Sequence, residues 1–220
     1  MIKEFDIYMS FLKKMFGEKK QERKLNSAKE LTTGDIIVLT DSFALPENLR
    51  KQQYQVTTVN SYEYEHSTQT EWMLTGENNS ELYLSLEEDD RTYLKFALKI
   101  AHHDVETLFN LDDFATIFEE DQNTQLIRQQ DNALTAGWSS EQYNQHGFVK
   151  VGYFHKRDHR TETLSAYEGK DAGEQFELYS LYDNDEDRGV DVEVWSDGDT
   201  DVFLTLFRPL TDIVDMYPGS

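Results

Sequence analysis

Alternation of apolar and polar side chains with a period of two constrains this chain more than any other feature of its sequence. Leu82, Leu84 and Leu86 alternate with polar neighbours, residues 87–90 supply a polar turn, and the stretch 93–100 returns. Val190, Val192 and Val194 stand opposite Val202, Leu204 and Leu206 across a second acidic turn. Successive side chains of a strand point to opposite faces, so these runs predict antiparallel hairpins with one apolar face. Residues 31–39 read as a turn leading into a strand, and residues 54–59 as an alternating, β-branched one. Residues 71–75 (closed by Gly76), 148–154 and 176–182 are further strands.

The period changes over residues 103–131. Val105, Leu108, Phe109, Leu111, Phe114, Ile117 and Phe118 fit one or two amphipathic helices, with Asp104 as the N-cap. The expected fold class is therefore α+β: mostly antiparallel β hairpins, in two similar β-rich units joined by a helical stretch, with an N-terminal amphipathic helix. The two hairpins overlay at a constant offset of 108 positions, which sets Leu82 on Val190, Asp89 on Asp197, Thr92 on Thr200 and Asp104 on Asp212. Val105 and Leu108 then fall on Ile213 and Met216 as helix-start positions. A duplicated unit explains this overlay, and so do two unrelated hairpins of like pattern. The organisation expected is a leader over 1–24, a first β-rich unit with helices over 25–135, and a second β-rich unit over 136–220.

The leader differs in charge from the rest. Ile2, Phe5, Met9, Leu12 and Phe16 recur at helical spacing, and Gly17 can end the helix. Lys3, Lys13, Lys14, Lys19, Lys20, Arg23 and Lys24 outnumber four acids, whereas the whole chain has a formal net charge of −22. Met9 is a second candidate start. The apolar face and basic flank suit a partner's groove or an anionic membrane surface. Phe5, Leu12, Phe16, Lys13, Lys14, Lys19 and Lys20 are the candidate interaction residues. Packing of the same face on the parent domain accounts for it equally well.

So acidic a chain repels nucleic-acid phosphate, which argues against a nucleic-acid partner and permits a basic protein one. It contains no cysteine, so disulfides, zinc–thiolate sites and cysteine nucleophiles are excluded. No apolar run approaches the ~20 residues of a bilayer span, and no signal-peptide pattern opens the chain. A cytoplasmic location is the expectation, and the oligomeric state is not legible.

The run 31–100 contains Leu31-Thr-Thr-Gly-Asp-Ile-Ile, Tyr54-Gln-Val, Glu71-Trp-Met-Leu and Leu82-Tyr-Leu-Ser-Leu. In these it resembles a bacterial domain family of unknown function, catalogued under number 4178. The leader Met9-Ser-Phe-Leu-Lys-Lys-Met-Phe-Gly is also similar to such proteins. The resemblance implies a setting beside membrane-stress proteins of the phage-shock type. The family has no assigned catalytic residues, so it supplies none.

Candidate chemistry is sparse. His155 and His159 have the i, i+4 spacing that places two imidazoles on one metal when helical, but the region reads as a strand beside Lys156, Arg157 and Arg160, which favours surface histidines. His102-His103-Asp104 marks a strand-to-helix junction. The acid runs 183–193 and 197–201 fail the calcium-loop frame, since Arg188 and Val202 stand where glycine is needed. They read as polar turns. No nucleophile elbow, Walker loop or dinucleotide fingerprint is present. No catalytic residue, metal ligand or cofactor is assigned. A non-enzymatic interaction or accessory protein is the leading expectation, with a peripheral membrane-stress role and a metal-dependent hydrolase as alternatives.

Overall fold

A computed structural model describes residues 23–119, 123–147, 149–162 and 173–219. Among them, twelve strands form one wholly antiparallel sheet. In chain order they begin with β1 (Ile36–Leu39), β2 (Gln53–Tyr64), β3 (Thr68–Thr75), β4 (Glu81–Glu88), β5 (Thr92–Ile100) and β6 (Gln125–Ile127). The second six are β7 (Gln142–Gln145), β8 (Lys150–His155), β9 (Glu174–Tyr182), β10 (Arg188–Trp195), β11 (Thr200–Pro209) and β12 (Ile213–Tyr217). Eight of them close on themselves in the order β2-β3-β4-β5-β11-β10-β9-β8, and β8 returns to β2 through pairs such as Tyr62 with Phe154. The remaining four flare from this barrel: β1 and β12 beyond the start of β2, β7 and β6 beyond the end of β9.

The expected α+β class is thus corrected. Strands hold 47% of the residues and helices 14%, and the fold is a closed eight-stranded barrel. Among the described residues, the apolar run after residue 102 gives two short helices, α1 (His102–Leu108) and α2 (Leu111–Ala115), and one 3-10 turn over Thr116–Phe118. Asn110 explains the break: its side chain accepts from the amides of Asp112 and Asp113, capping a new helix while Phe109 stays extended. Asp104 is not the cap either. It lies inside α1 and accepts from the Ala101 amide at 3.0 Å. The two hairpins do not form separate units, because β5 pairs with β11 inside one wall. Their registers differ as well: Leu84 pairs with Phe96, but Val192 pairs with Val202 and not Leu204. Ile213 and Met216, expected at a helix start, belong to β12 and its pairing with β1. The expected leader helix lies outside the described residues.

The barrel is turned inside out relative to a simple apolar core. Leu74, Leu82, Leu84, Leu94, Phe96, Val190, Val192, Leu204 and Leu206 have at most 1% of their surface exposed, yet they point away from the axis. They pack with Leu31, Ile37, Leu45, Phe109, Ile117 and Trp138 from the connecting segments. The principal hydrophobic core therefore lies between the barrel wall and an outer layer made by residues 28–49, 105–119 and 123–143. Apolar side chains outward and polar ones inward is the alternation of a lipid-facing barrel, but here the chain covers most of that outward face itself. No helix among the described residues is long and apolar enough to cross a membrane.

Two devices hold the outer layer on. Trp72 Nε1 donates to the Leu31 carbonyl at 2.9 Å. Asp35 is fully buried and accepts from the amides of Thr32 at 2.7 Å and Gly219 at 2.8 Å, with the Arg23 guanidinium as an ion-pair partner. That carboxylate joins the turn before β1 to the end of the chain. In β2 the register slips between Val56 and Thr58. This bulge bends β2 from its pairing with β1 into the barrel wall.

One glycine lets an aromatic ring fill the barrel. A Cβ on Gly152 would lie 2.7 Å from the Phe176 ring and 3.0 Å from the Glu63 carbonyl. Gly152→Val is expected to cost about 1–3 kcal/mol by overpacking, measured by denaturant titration. A variant as stable as the parent would show that Phe176 can move aside.

Candidate functional site

The inward positions of the barrel strands mix large aromatic side chains with ionisable ones. Tyr62, Glu71, Ser85, Lys95, Asp191, Glu193 and Phe203 surround a small central void of about 40 Å³. Openings of about 870 Å³ and about 470 Å³ lie toward the two ends. The first is rimmed by the β2–β3 hairpin and includes Lys95, Lys150 and Arg160 with Glu65, Glu87 and Glu88. The second is rimmed by the β10–β11 turn and gathers Glu71, Glu174, Glu193, Asp197, Asp199 and Asp201 against Lys99 and Lys156.

The lumen has two kinds of wall. One is aromatic: Tyr62 meets Phe154 at 5.0 Å and Phe176 at 5.3 Å between ring centroids. Trp195 meets both of those rings at 5.6 Å. The other is charged. Lys95 Nζ bonds Asp191 at 2.6 Å, and Ser180 Oγ donates to the same carboxylate at 2.7 Å. Burial alone would pull the Lys95 ammonium down. Asp191, helped by Tyr182 and Glu87, outweighs that and raises it. Lys99 bonds Asp201 at 2.6 Å.

Glu71 and Glu193 are placed differently, because neither has a cation bonded to it. Asn60 Nδ2 donates to Glu71 at 3.0 Å, and the Tyr62 hydroxyl lies 3.4 Å from its other oxygen. Burial lifts the Glu71 carboxyl to about 7, against those two hydrogen bonds and the charge of Lys95. Burial lifts Glu193 to about 8, reinforced by the nearby charges of Glu71 and Asp191 and opposed by a hydrogen bond with Tyr62 and the charge of Lys95. Glu193 Oε2 and Asn60 Oδ1 are buried with no hydrogen-bond partner. Asn60 Oδ1 is a lone buried acceptor at any pH, and Glu193 Oε2 becomes one when the carboxyl ionises; such an acceptor is costly and calls for a donor.

The raised carboxyls make stability fall as pH rises. Both bind a proton more tightly in the folded chain than the ordinary value of 4.5 allows. Their contribution is complete below that value and is lost as pH climbs through about 7 and about 8. The melting temperature at fixed ionic strength is expected to drop between about pH 5 and about pH 8.5, and Glu193→Gln should flatten the drop. Equal melting temperatures for the parent at the two ends would contradict this placement.

Outside the lumen, His155 and His159 are both buried and are not surface histidines. His155 Nε2 lies 3.0 Å from Glu63 Oε2, and the two imidazole centroids are 4.6 Å apart. They meet because β8 ends at His155 and the chain then turns, bringing the His159 amide onto Ser61 Oγ at 3.0 Å. Arg157 Nε donates to His159 Nε2 at 2.8 Å. Burial, with the charges of Arg157 and His155, pushes the His159 imidazole below its usual value. No group of three His, Asp or Glu side chains among the described residues is placed to hold a metal ion. His102 and His103 are exposed at the start of α1.

Only the first part of each acid run lies in a turn: residues 188–193 belong to β10 and residues 200–201 to β11, so Asp191 and Glu193 are lumen-facing strand residues. Asp183 accepts from the amides of Asp187 and Arg188 between β9 and β10, and Asp197 accepts from the Asp199 amide between β10 and β11. Asp197 and Asp199 also rim the second mouth. Phe5, Leu12, Lys13, Lys14, Phe16, Lys19 and Lys20 lie outside the described residues. Sequence reading missed Glu71, Glu193, Asn60, Lys95 and Asp191. The available signal was the bulk of the residues on that face: Tyr83 stands between Leu82 and Leu84, Trp195 follows Val194, and Tyr62 and Tyr64 alternate with Ser61 and Glu63.

Compared with family models, with curated proteins and with solved structures, the chain matches none of them.

Proposed function

We propose that this chain is a non-enzymatic accessory protein that acts by binding, and that the barrel lumen takes the ligand. The observation that carries the reading is the pair of buried, partnerless acceptors, Glu193 Oε2 and Asn60 Oδ1, in a lumen open toward its ends. A barrel that needed its interior only for stability would fill it with apolar side chains. Here the principal apolar core lies outside the wall, and the lumen sets a smaller cluster of Tyr62, Phe154, Phe176, Leu178 and Trp195 beside buried ionisable groups. The volume of each opening, about 470 Å³ and about 870 Å³, is in the range of small-molecule sites.

The test is a thermal-shift screen with small cationic, anionic and neutral polar molecules, run on the parent and on Ala97→Phe. Ala97 lines the central void, so the substitution fills it. A ligand at about 100 times its dissociation constant should stabilise the parent by about 2.7 kcal/mol. The filled variant should lose that gain. If no class of molecule shifts the parent more than the filled variant, the lumen is not a binding site.

A further inference from the structure

We infer that the mouth of the lumen beside the β10–β11 turn binds a small organic molecule bearing a primary ammonium group. This rests on the reading of the lumen as a binding site and adds the chemistry of its occupant. Three independent observations converge on it.

Charge comes first. Six carboxylates line this mouth against Lys99 and Lys156, and Lys99 is already bonded to Asp201. The opening therefore favours a cation. Hydrogen bonding narrows the class. Asn60 and Glu193 are only 5% and 7% exposed, and each presents an acceptor with no partner. An ammonium group supplies three N–H donors and accepts nothing. A quaternary ammonium supplies none and would leave both acceptors unpaired. A bare metal ion is disfavoured because no three ligating side chains among the described residues converge.

The walls supply the remainder. Phe154 and Trp195 contribute rings 5.6 Å apart, and Tyr83 and Phe203 contribute rings 5.5 Å apart. Aromatic faces attract a cation and give a short alkyl chain an apolar surface to lie on. A volume of about 470 Å³ accommodates such a chain. The shared chemistry, an alkylammonium, belongs both to free amines and to lysine side chains. A space of about 470 Å³ holds a whole small amine, and the free amine is the occupant assigned to it.

The experiment is calorimetric titration of the full chain at about pH 8.5, where the carboxylates are largely ionised and a primary amine still carries its proton. The probes are 1,4-diaminobutane, N-acetyl-lysine methylamide, tetramethylammonium and inorganic phosphate. One-to-one binding of 1,4-diaminobutane is expected, with tetramethylammonium and phosphate weaker by about tenfold or more. Glu193→Gln should weaken the diamine by a similar factor, after its melting curve confirms that it is folded. Asp185→Asn, on an exposed turn away from the mouth, should leave it unchanged. Tighter binding of the lysine amide than of the diamine would keep the ammonium and assign it to a protein side chain. Equal losses in Glu193→Gln and Asp185→Asn would overturn the inference, since they would mark diffuse attraction to an acidic surface. So would tighter binding of phosphate or tetramethylammonium. If the amines fail while another class of molecule shifts the parent but not Ala97→Phe, the inference falls and the lumen reading stands. If every class fails, both fall.

Discussion

Asp191→Ala is expected to destabilise the protein by about 3–5 kcal/mol, among the largest effects of any single substitution in the lumen. The side chains of Lys95 and Asp191 are 13% and 8% exposed, and they meet at 2.6 Å. Removing the carboxylate leaves an ammonium enclosed by the barrel wall. Ser180 loses its acceptor at the same time. The cost arises from the stranded charge and not from the worth of the pair, because desolvation offsets much of the attraction between buried ions. The double variant Lys95→Met with Asp191→Leu should therefore recover most of the loss. Chemical denaturation of Lys95→Met, Asp191→Leu and the double variant gives the coupling directly. A single-variant loss below about 1 kcal/mol would mean that water reaches the pair and screens it like a surface ion pair.

The second large effect lies on the other side of the same wall. Phe96→Ala should cost about 3–5 kcal/mol, as expected for a large cavity in a sealed core. Phe96 has no exposed surface, and its strand neighbours Leu84 and Leu206 are equally sealed. Phe154 is half-buried in the lumen mouth, so Phe154→Ala should cost clearly less. This ordering distinguishes the architecture from a barrel with its core inside. Equal losses at the two positions, read from denaturant midpoints, would contradict an outer core.

The strands are legible in the sequence because alternation fixes which residues share a face. Leu82, Leu84 and Leu86 belong to one buried face by their spacing alone. What spacing does not reveal is that Tyr83, Ser85 and Glu87, on the opposite face, are also enclosed. Enclosure depends on closure, and closure depends on pairings remote in sequence, such as β5 with β11 and β2 with β8. The same limit hides the site. Glu71 and Glu193 look like the outward polar residues of ordinary strands until the barrel bends them toward each other's field. The histidine pair is misread when the strand is carried past His155, where the chain in fact turns. Burial of Val105, Leu108, Phe109, Phe114 and Ile117 is legible, but Leu111 and Phe118 are exposed, Asn110 splits the helix, and the next regular element among the described residues is the strand β6.

Closure also has a kinetic side. Ser61 on β2 bonds the Arg157 carbonyl just past β8, 96 positions away. Contacts so distant in sequence must wait until much of the chain is already ordered, and proteins dominated by them fold in about milliseconds to seconds. An ordinary barrel caught half-closed would expose its apolar interior and aggregate. A half-closed form of this one, with its outer layer already docked, would show water Glu71, Lys95, Asp191 and Glu193 beside the rings of Tyr62, Phe154, Phe176 and Trp195. Charge interspersed with those rings makes the open seam less adhesive than a wholly apolar one.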